Sequence, residues 1–206
     1  MLDSITVVGR ELAKVGTQAA GHRYFQYNEF VERALREEGL AFSLDPNCGV
    51  YYYVDEEFEA QRQSAIGVLS GPRYLAAREA FERGHACLDA PSPDTLGAVR
   101  GVFDAVENVF KQATDGRATR IGVAEITKVL APRTAPLHSG PASNAAGRLL
   151  ASLGEWVNAA HQDRHDPGQP DPAPPPLDVA ITMMATGAGF LRWLSTIDEQ
   201  LKSAPG

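Results

Sequence analysis

The chain has 206 residues, of which 44 % are hydrophobic and 22 % are charged; this composition excludes intrinsic disorder and fits one domain with a small appendage. Its net charge of −7 argues against non-specific nucleic-acid binding by the whole surface. Two cysteines are too few for a disulfide framework or a tetrahedral zinc site, and no apolar run is long enough to span a membrane, so we expect a cytoplasmic protein without metal or cofactor.

Residues 1–70 predict an N-terminal appendage of helices and one β-hairpin. Apolar positions recur at helical spacing in two stretches, the second of which ends at Gly39. Two β-favouring runs, 41–44 and 50–54, flank a turn sequence at 45–49 and indicate a hairpin. Because an isolated two-stranded hairpin is marginally stable, Tyr51, Tyr53 or their neighbours should lie against helices.

Residues 71–206 predict a helical bundle, so the chain as a whole is expected to be mainly α-helical. One helix is expected to end at the Ser-Gly-Pro sequence at 70–72, and the next to end before Pro91. The clearest helix begins after Asp94 and carries one apolar stripe along 96–110.

The second half of this bundle contains more proline. We expect a short helix over 119–130, a proline-rich loop over 131–143, and a further helix that Ser143 caps. Six prolines between residues 167 and 176 predict an extended connector, because proline lacks the amide hydrogen that helices and central strands need. A long apolar helix over 177–201 contains small residues at 187–189 that would let another helix approach closely.

Basic residues concentrate in one segment of this acidic chain. Residues 111–148 carry six basic residues against two acidic ones. This excess indicates either an anionic partner, with Arg133 and Arg148 as candidate binding residues, or a solvated basic face.

No phosphate-binding loop, dinucleotide-binding glycine motif or nucleophile elbow is present in the sequence. The densest polar group stands at the end of the helix that contains Trp156. Its members are Asn158, His161, Asp163, Arg164, His165 and Asp166.

This polar group has three interpretations. Histidines transfer protons near neutral pH and a guanidinium can hold a phosphate, so His161, Arg164 and His165 could cleave RNA without metal. His161 and His165 would share one helix face as metal ligands, but the glutamate of a His-Glu-x-x-His motif is missing. The same cations could simply complement the dipole at a helix C-terminus. Glu107 could orient an arginine in the core or pair with Lys111 at the surface.

Four segments together resemble the HEPN superfamily, in particular the C-terminal domains of bacterial abortive-infection proteins. They are PRYLAAREAFERGHACL, DTLGAVRGVFDAVENVFKQA, WVNAAHQDRHDPG and VAITMMATGAGFLRWLSTID. The resemblance spans about residues 72–201 and includes an Ala-Val-Glu-x-x-x-Lys run and an arginine-histidine element before the last helix. It implies a helical bundle that dimerises and, in active members, metal-independent RNA cleavage by an Arg-x(4–6)-His motif at a dimer interface.

The motif that the resemblance implies is altered here, because His165 directly follows Arg164. Two hypotheses follow for a protein of phage defence or stress response. The first is a non-catalytic interaction or dimerisation module. The alternative is a metal-independent RNase, or an RNA- or nucleotide-binding protein, with Arg164, His165, His161 and Glu107 as catalytic candidates and Asn158 as a binding candidate.

Overall fold

The structure, a computed structural model, describes residues 2–14, 18–38, 40–45, 47–161 and 173–203. These residues are mainly α-helical with one two-stranded sheet, which confirms the predicted fold class. The helices are α1 (Leu2–Lys14), α2 (Gln18–Glu37), α3 (Glu56–Val68), α4 (Leu75–Leu88), α5 (Thr95–Ala113), α6 (Val123–Glu125), α7 (Ala131–Thr134), α8 (Pro141–His161) and α9 (Leu177–Ser203). The strands are β1 (Phe42–Leu44) and β2 (Val50–Tyr52).

Helix α5 is the centre of the main core. Asp94 caps its N-terminus: the Asp94 carboxylate accepts the Gly97 N–H at 2.8 Å and so satisfies one of the unpaired amides of the first turn. Its side chains are buried on most of its circumference, and it packs chiefly against α4 and α9. No helix in the described part of the chain is long and apolar enough to cross a membrane.

Glycines set how closely the helices approach α5. Where α4 crosses α5, a Cβ on Gly101 would overlap the backbone of Gly84. On α9, a Cβ on Gly187 would overlap Val102, whereas one on Gly189 would meet nothing within 4 Å. The predicted close approach at 187–189 is therefore confirmed at Gly187.

The predicted hairpin is present, with Ser43 of β1 opposite Tyr51 of β2 in antiparallel register. It forms a small separate cluster with α2, built on Val31, Leu35 and Leu44. Tyr52, the neighbour of Tyr51 and Tyr53, instead packs against the main core.

The residues predicted to form the N-terminal unit, 1–70, thus divide between two clusters. Helix α3 lies in the main core through Phe58, Ala65 and Leu69. The hairpin and α2 lie in the smaller one.

The segment between α5 and α8 differs from its prediction. The helix expected over 119–130 begins only at Val123, because the backbone of Gly122 is extended, and it continues through a π-helical turn (Ile126–Leu130) into α7. The first part of the expected loop is therefore helical. We attribute this to the π turn, whose wider hydrogen-bond spacing accommodates Pro132 at the start of α7.

The prediction that Ser143 caps the next helix is wrong. Helix α8 begins at Pro141, so Ser143 is its third residue and donates its backbone N–H to the Gly140 oxygen at 3.2 Å. Proline suits the first helical position because its fixed φ is helical and its missing N–H would be unpaired there in any case.

A buried carboxylate near the end of α9 binds two residues of the turn that precedes α4. The Asp198 side chain accepts hydrogen bonds from Arg73 Nε at 2.7 Å and from the Tyr74 hydroxyl at 2.7 Å, and it pairs with Lys202 Nζ at 3.0 Å. Arg73 also donates to the Gln112 oxygen near the end of α5. Burial raises the pKa of Asp198, but these three donors outweigh burial and hold the pKa below its ordinary value.

Candidate functional site

Asn158 and His161, the members of the predicted polar group that the structure describes, lie near the C-terminal end of α8; Asp163 and Asp166 lie outside the described residues. The His161 side chain is exposed and its ring centroid lies 5.0 Å from that of Phe103. The same phenylalanine stacks on Trp156, with centroids 6.2 Å apart, so it fixes the end of α8 against the core. Arg164 and His165 lie outside the described residues, and their predicted roles stay predictions.

Both carboxylate oxygens of Glu107 accept hydrogen bonds within the fold. One carboxylate oxygen accepts from Lys111 Nζ at 2.8 Å, which is the pair expected from their spacing. The other accepts the backbone N–H of Ile121 at 3.2 Å, and the side chain is only 14 % exposed. The sequence did not predict this second contact, because Ile121 lies 14 residues after Glu107 and outside α5, where helical spacing does not indicate which residues meet.

The candidate binding residues differ in solvent exposure and in the hydrogen bonds that they form. Arg133 is half-buried and donates from Nε to the Ala113 oxygen at 3.3 Å, which holds α7 against the end of α5. Arg148 and Asn158 are exposed on α8. His138, five residues after Arg133, has a buried Nε2 without a hydrogen-bond partner in the described part of the chain.

The exposed face of α8 combines two opposite charges with small side chains. Its members are Arg148, Ala151, Ser152, Glu155, Asn158 and Ala159. Arg148 and Glu155 stand seven residues apart, two helical turns, on the same side of the helix. Neither forms an ion pair with another residue that the structure describes.

A groove of about 260 Å³ runs beside this face, between α8 and the π-helical turn. Its walls are mostly apolar and include Ile126, Leu150 and Gly154, with Glu155 at the edge shared with the exposed face. The backbone of α8 is accessible here because Gly147 has no neighbour within 4 Å of the position that a Cβ would take.

A polar cavity that the sequence did not predict lies beneath the hairpin. It measures about 260 Å³, and its lining includes Asp45, Tyr51, Glu59, Arg62 and Asp89. Burial raises the pKa of Asp89, and the hydrogen bond from the Tyr52 N–H and the charge of Arg62 only partly oppose this effect. These residues belong to a turn, a strand, a helix and a helix end, so no local sequence pattern could have indicated that they meet.

His85 lies close to this cavity but inside the core. Its ring centroid is 4.6 Å from that of Phe81 and 5.5 Å from that of Phe58. Burial, together with the nearby positive charge of Arg62, lowers the pKa of His85 to about 3, so this histidine is neutral at physiological pH.

Among the residues that the structure describes, no group of three or more His, Cys, Asp or Glu side chains is placed to hold a metal ion. The chain was also compared with protein-family models, with curated proteins and with solved structures, and none of the three comparisons found a match.

Proposed function

We propose that this chain is a non-catalytic interaction module of the HEPN-like helical type, from a bacterial defence or stress system, and that it dimerises through the exposed face of α8. The resemblance over residues 72–201 supports the family. The helices α4, α5, α8 and α9, which follow the order of the four similar segments, are consistent with it.

One observation carries the choice of an interaction module over an enzyme. The Glu107 carboxylate and the Nε of Arg133 are already bonded within the fold, whereas Arg148 and Asn158 project from an exposed helix face. Near the predicted site, the described residues therefore form an exposed helix surface on which Arg148 and Glu155 have no ion-pair partner. They do not form an enclosed reaction centre.

The charges on that surface favour a second copy of the chain as the partner. In an antiparallel pairing of two α8 helices that cross between Ala151 and Ser152, Arg148 of each copy would face Glu155 of the other. A two-fold axis would thus form two ion pairs from one patch. The small side chains at the crossing would allow the helices to approach closely, since the separation of packed helices depends on the residues at the contact.

Charge reversal tests this interface directly. Sedimentation velocity at increasing concentration should show dimer for the wild type and at least tenfold weaker association for Arg148→Glu, in which like charges would meet. The double variant Arg148→Glu/Glu155→Arg restores opposite charges across the axis and should restore the dimer. Arg83→Glu, an equal charge change on the exposed side of α4, is the matched control.

Two outcomes would contradict this interface. The wild type could remain monomeric at all concentrations, or the single and double charge variants could associate equally. The second outcome would show that dimerisation, if present, uses another surface.

A metal-independent RNase is the second candidate function. It is favoured by the exposed position of His161, because a histidine at the surface could transfer protons to or from a bound substrate. RNA cleavage in EDTA by the wild type should then be lost in His161→Ala, Arg164→Ala and His165→Ala. Equal cleavage by all four proteins would exclude this activity for the cluster.

A further inference from the structure

Helices α1 and α2 leave more large apolar side chains exposed, for their length, than the rest of the fold. Among the described residues, five of the ten exposed side chains of this kind lie on these helices or just after them: Val7, Val8, Phe25, Phe30 and Leu40. The small cluster that α2 shares with the hairpin buries only Val31, Leu35 and Leu44. Because isolated exposed apolar residues are common on protein surfaces, only an ordered pattern around one of them indicates a contact surface.

Phe30 is the centre of such a pattern on α2. Its side chain is 60 % exposed. Arg23 lies seven residues before it and Glu37 seven residues after it, and both are exposed. Seven residues are almost two full turns of a helix, so the three side chains project from one side, about 100° around the helix from the buried Val31. We name these three residues the Phe30 stripe.

The charges at the two ends of the Phe30 stripe are not held by strong contacts within the fold. Arg23 forms no ion pair with another residue that the structure describes. Glu37 Oε1 lies 3.8 Å from Arg33 Nε, beyond hydrogen-bonding distance, and both side chains are exposed. The guanidinium carbon of Arg33 is 5.9 Å from the centre of the Phe30 ring, yet Phe30 stays largely exposed. Because exposed ion pairs contribute little to stability, Glu37 can take a new partner at little cost.

We propose that the Phe30 stripe is a self-association surface, at which α2 of one copy packs antiparallel on α2 of a second copy. In an antiparallel pair that crosses at Phe30, the two-fold axis passes between the two Phe30 rings. Arg23 of each copy then faces Glu37 of the other, since both lie seven residues from the crossing. The stripe is therefore complementary in charge to itself.

The order of the charges selects both this occupant and this orientation. Parallel pairing would bring Arg23 against Arg23 and Glu37 against Glu37, and like charges that meet across an interface oppose binding. Antiparallel pairing replaces both repulsions by ion pairs that flank the central ring contact, and aromatic rings in contact attract each other. A second copy of the chain thus supplies the complementary surface.

The Phe30 stripe is separate from α8, so this contact goes beyond the dimer proposed above and does not depend on it. A single helix face with one aromatic side chain per copy is a small interface. We expect weak, reversible association of the kind that interfaces below about 1,200 Å² support. Where both surfaces pair, α8 dimers join through α2 into larger assemblies as the protein concentration rises.

Sedimentation velocity of the full chain with Arg148→Glu isolates the α2 contact, because that substitution opposes pairing through α8. This protein should associate reversibly below about 1 mM, the range of weak protein contacts. In the same background, Phe30→Ser should weaken association at least tenfold. Arg23→Glu should weaken it at least fivefold, because like charges then meet, and Arg23→Glu/Glu37→Arg should restore it to within twofold.

The matched control is Phe25→Ser. Phe25 is 67 % exposed on the same helix but lies five residues before Phe30, about 140° around the helix from the stripe. Its substitution should leave association within twofold of the Arg148→Glu protein. Since both phenylalanines are exposed, neither substitution removes a core side chain, and circular dichroism should show equal helix content in all the variants.

Three results would overturn the proposal. Absence of association in the Arg148→Glu protein would mean that no second copy covers the stripe and that any occupant is a different protein. Equal losses for Phe30→Ser and Phe25→Ser would indicate unspecific apolar contact. Failure of the double charge variant to restore association would contradict the antiparallel pairing.

An error in the α8 proposal would give a different result. The wild type and the Arg148→Glu protein would then associate equally, and Phe30→Ser would weaken association in both. Dimerisation of the wild type alone, with a monomeric Arg148→Glu protein, would support α8 and exclude the Phe30 stripe.

Discussion

At the scale of single residues, the burial of His85 in the core makes the stability of the fold depend on pH. It is 3 % exposed and stays unprotonated in the folded state, because its lowered pKa of about 3 reflects burial and the adjacent Arg62. In the unfolded chain the same histidine takes up a proton below about pH 6.5. The unfolded state therefore gains protons that the folded state excludes, and stability falls as the pH drops from 6.5 towards 3.

We expect His85 to lower the free energy of unfolding by about 2 kcal/mol between pH 7.5 and pH 5. Urea unfolding of the wild type and of His85→Leu at both pH values isolates this contribution. The variant should lose about 2 kcal/mol less than the wild type over that interval. Identical pH dependence in the two proteins would show that His85 is not buried in its neutral form.

Asp198 is the opposite case to the neutral His85, because the hydrogen-bond donors around its carboxylate keep that group ionised. We expect Asp198→Asn to lower the free energy of unfolding by about 2–3 kcal/mol, because the substitution leaves Arg73 without its buried counter-charge. The exposed pair of Arg33 and Glu37 is the matched control, and Glu37→Gln should cost less than about 0.5 kcal/mol. Similar losses for the two variants would mean that the Asp198 contacts are worth no more than surface ion pairs.

At the scale of elements, the crossing of α4 and α5 depends on two facing glycines. A Cβ on Gly101 would lie 2.6 Å from the Gly84 backbone nitrogen and 2.9 Å from the Ala80 oxygen. Both atoms belong to the helix backbone and cannot move aside as a flexible side chain would. The two helices must therefore separate if Gly101 is enlarged.

We expect Gly101→Ala to lower the free energy of unfolding by about 2 kcal/mol, since the strain of overpacking exceeds the gain in helix propensity. Gly189→Ala is the control within α9, where the added methyl meets nothing within 4 Å, and it should leave stability unchanged or raise it by up to about 1 kcal/mol. Thermal or urea unfolding measures both. A neutral Gly101→Ala would contradict the close crossing.

Much of the secondary structure could be predicted from sequence where local and tertiary preferences agree. Helix α5 was predictable because Asp94 caps it and its apolar stripe repeats at helical spacing. The segment 119–143 was not, because proline usually ends a helix and the π turn that lets the chain pass Pro132 has no recognised sequence pattern.

At the candidate sites too, contacts within one helix could be predicted from the sequence, and contacts between distant elements could not. The pairing of Glu107 with Lys111 follows from a spacing of four residues along one helix, so the sequence could suggest it. The meeting of Asp45, Arg62 and Asp89 depends on how the hairpin docks on two helices, which is a property of the tertiary fold alone.

At the scale of the whole molecule, the described residues contain one large core and one small cluster. The small cluster has only Val31, Leu35 and Leu44 as buried apolar residues, with the hairpin and α2 around it. A cluster of this size loses little apolar burial when it opens. Local opening of α2 and the hairpin should therefore require less free energy than global unfolding.

Native-state hydrogen exchange tests this difference. We expect the amides of α2 to exchange at least about tenfold faster than the most protected amides of α5, because α2 can open without disrupting the main core. Val31→Ala should reduce protection in α2 further and leave α5 unchanged. Equal protection in both helices, and an equal response to the substitution, would show that the two clusters unfold as one unit.

The contact between Arg73 and Asp198 has a consequence for synthesis on the ribosome. The two residues are 125 positions apart, and α9 is the last of the described helices to be translated. Until α9 emerges, the side of α5 that it covers remains exposed as apolar surface, although α4 is already in place beside α5. We therefore expect the bundle to complete its folding only after α9 has been translated, with a transient need for chaperone protection of the uncovered α5 face.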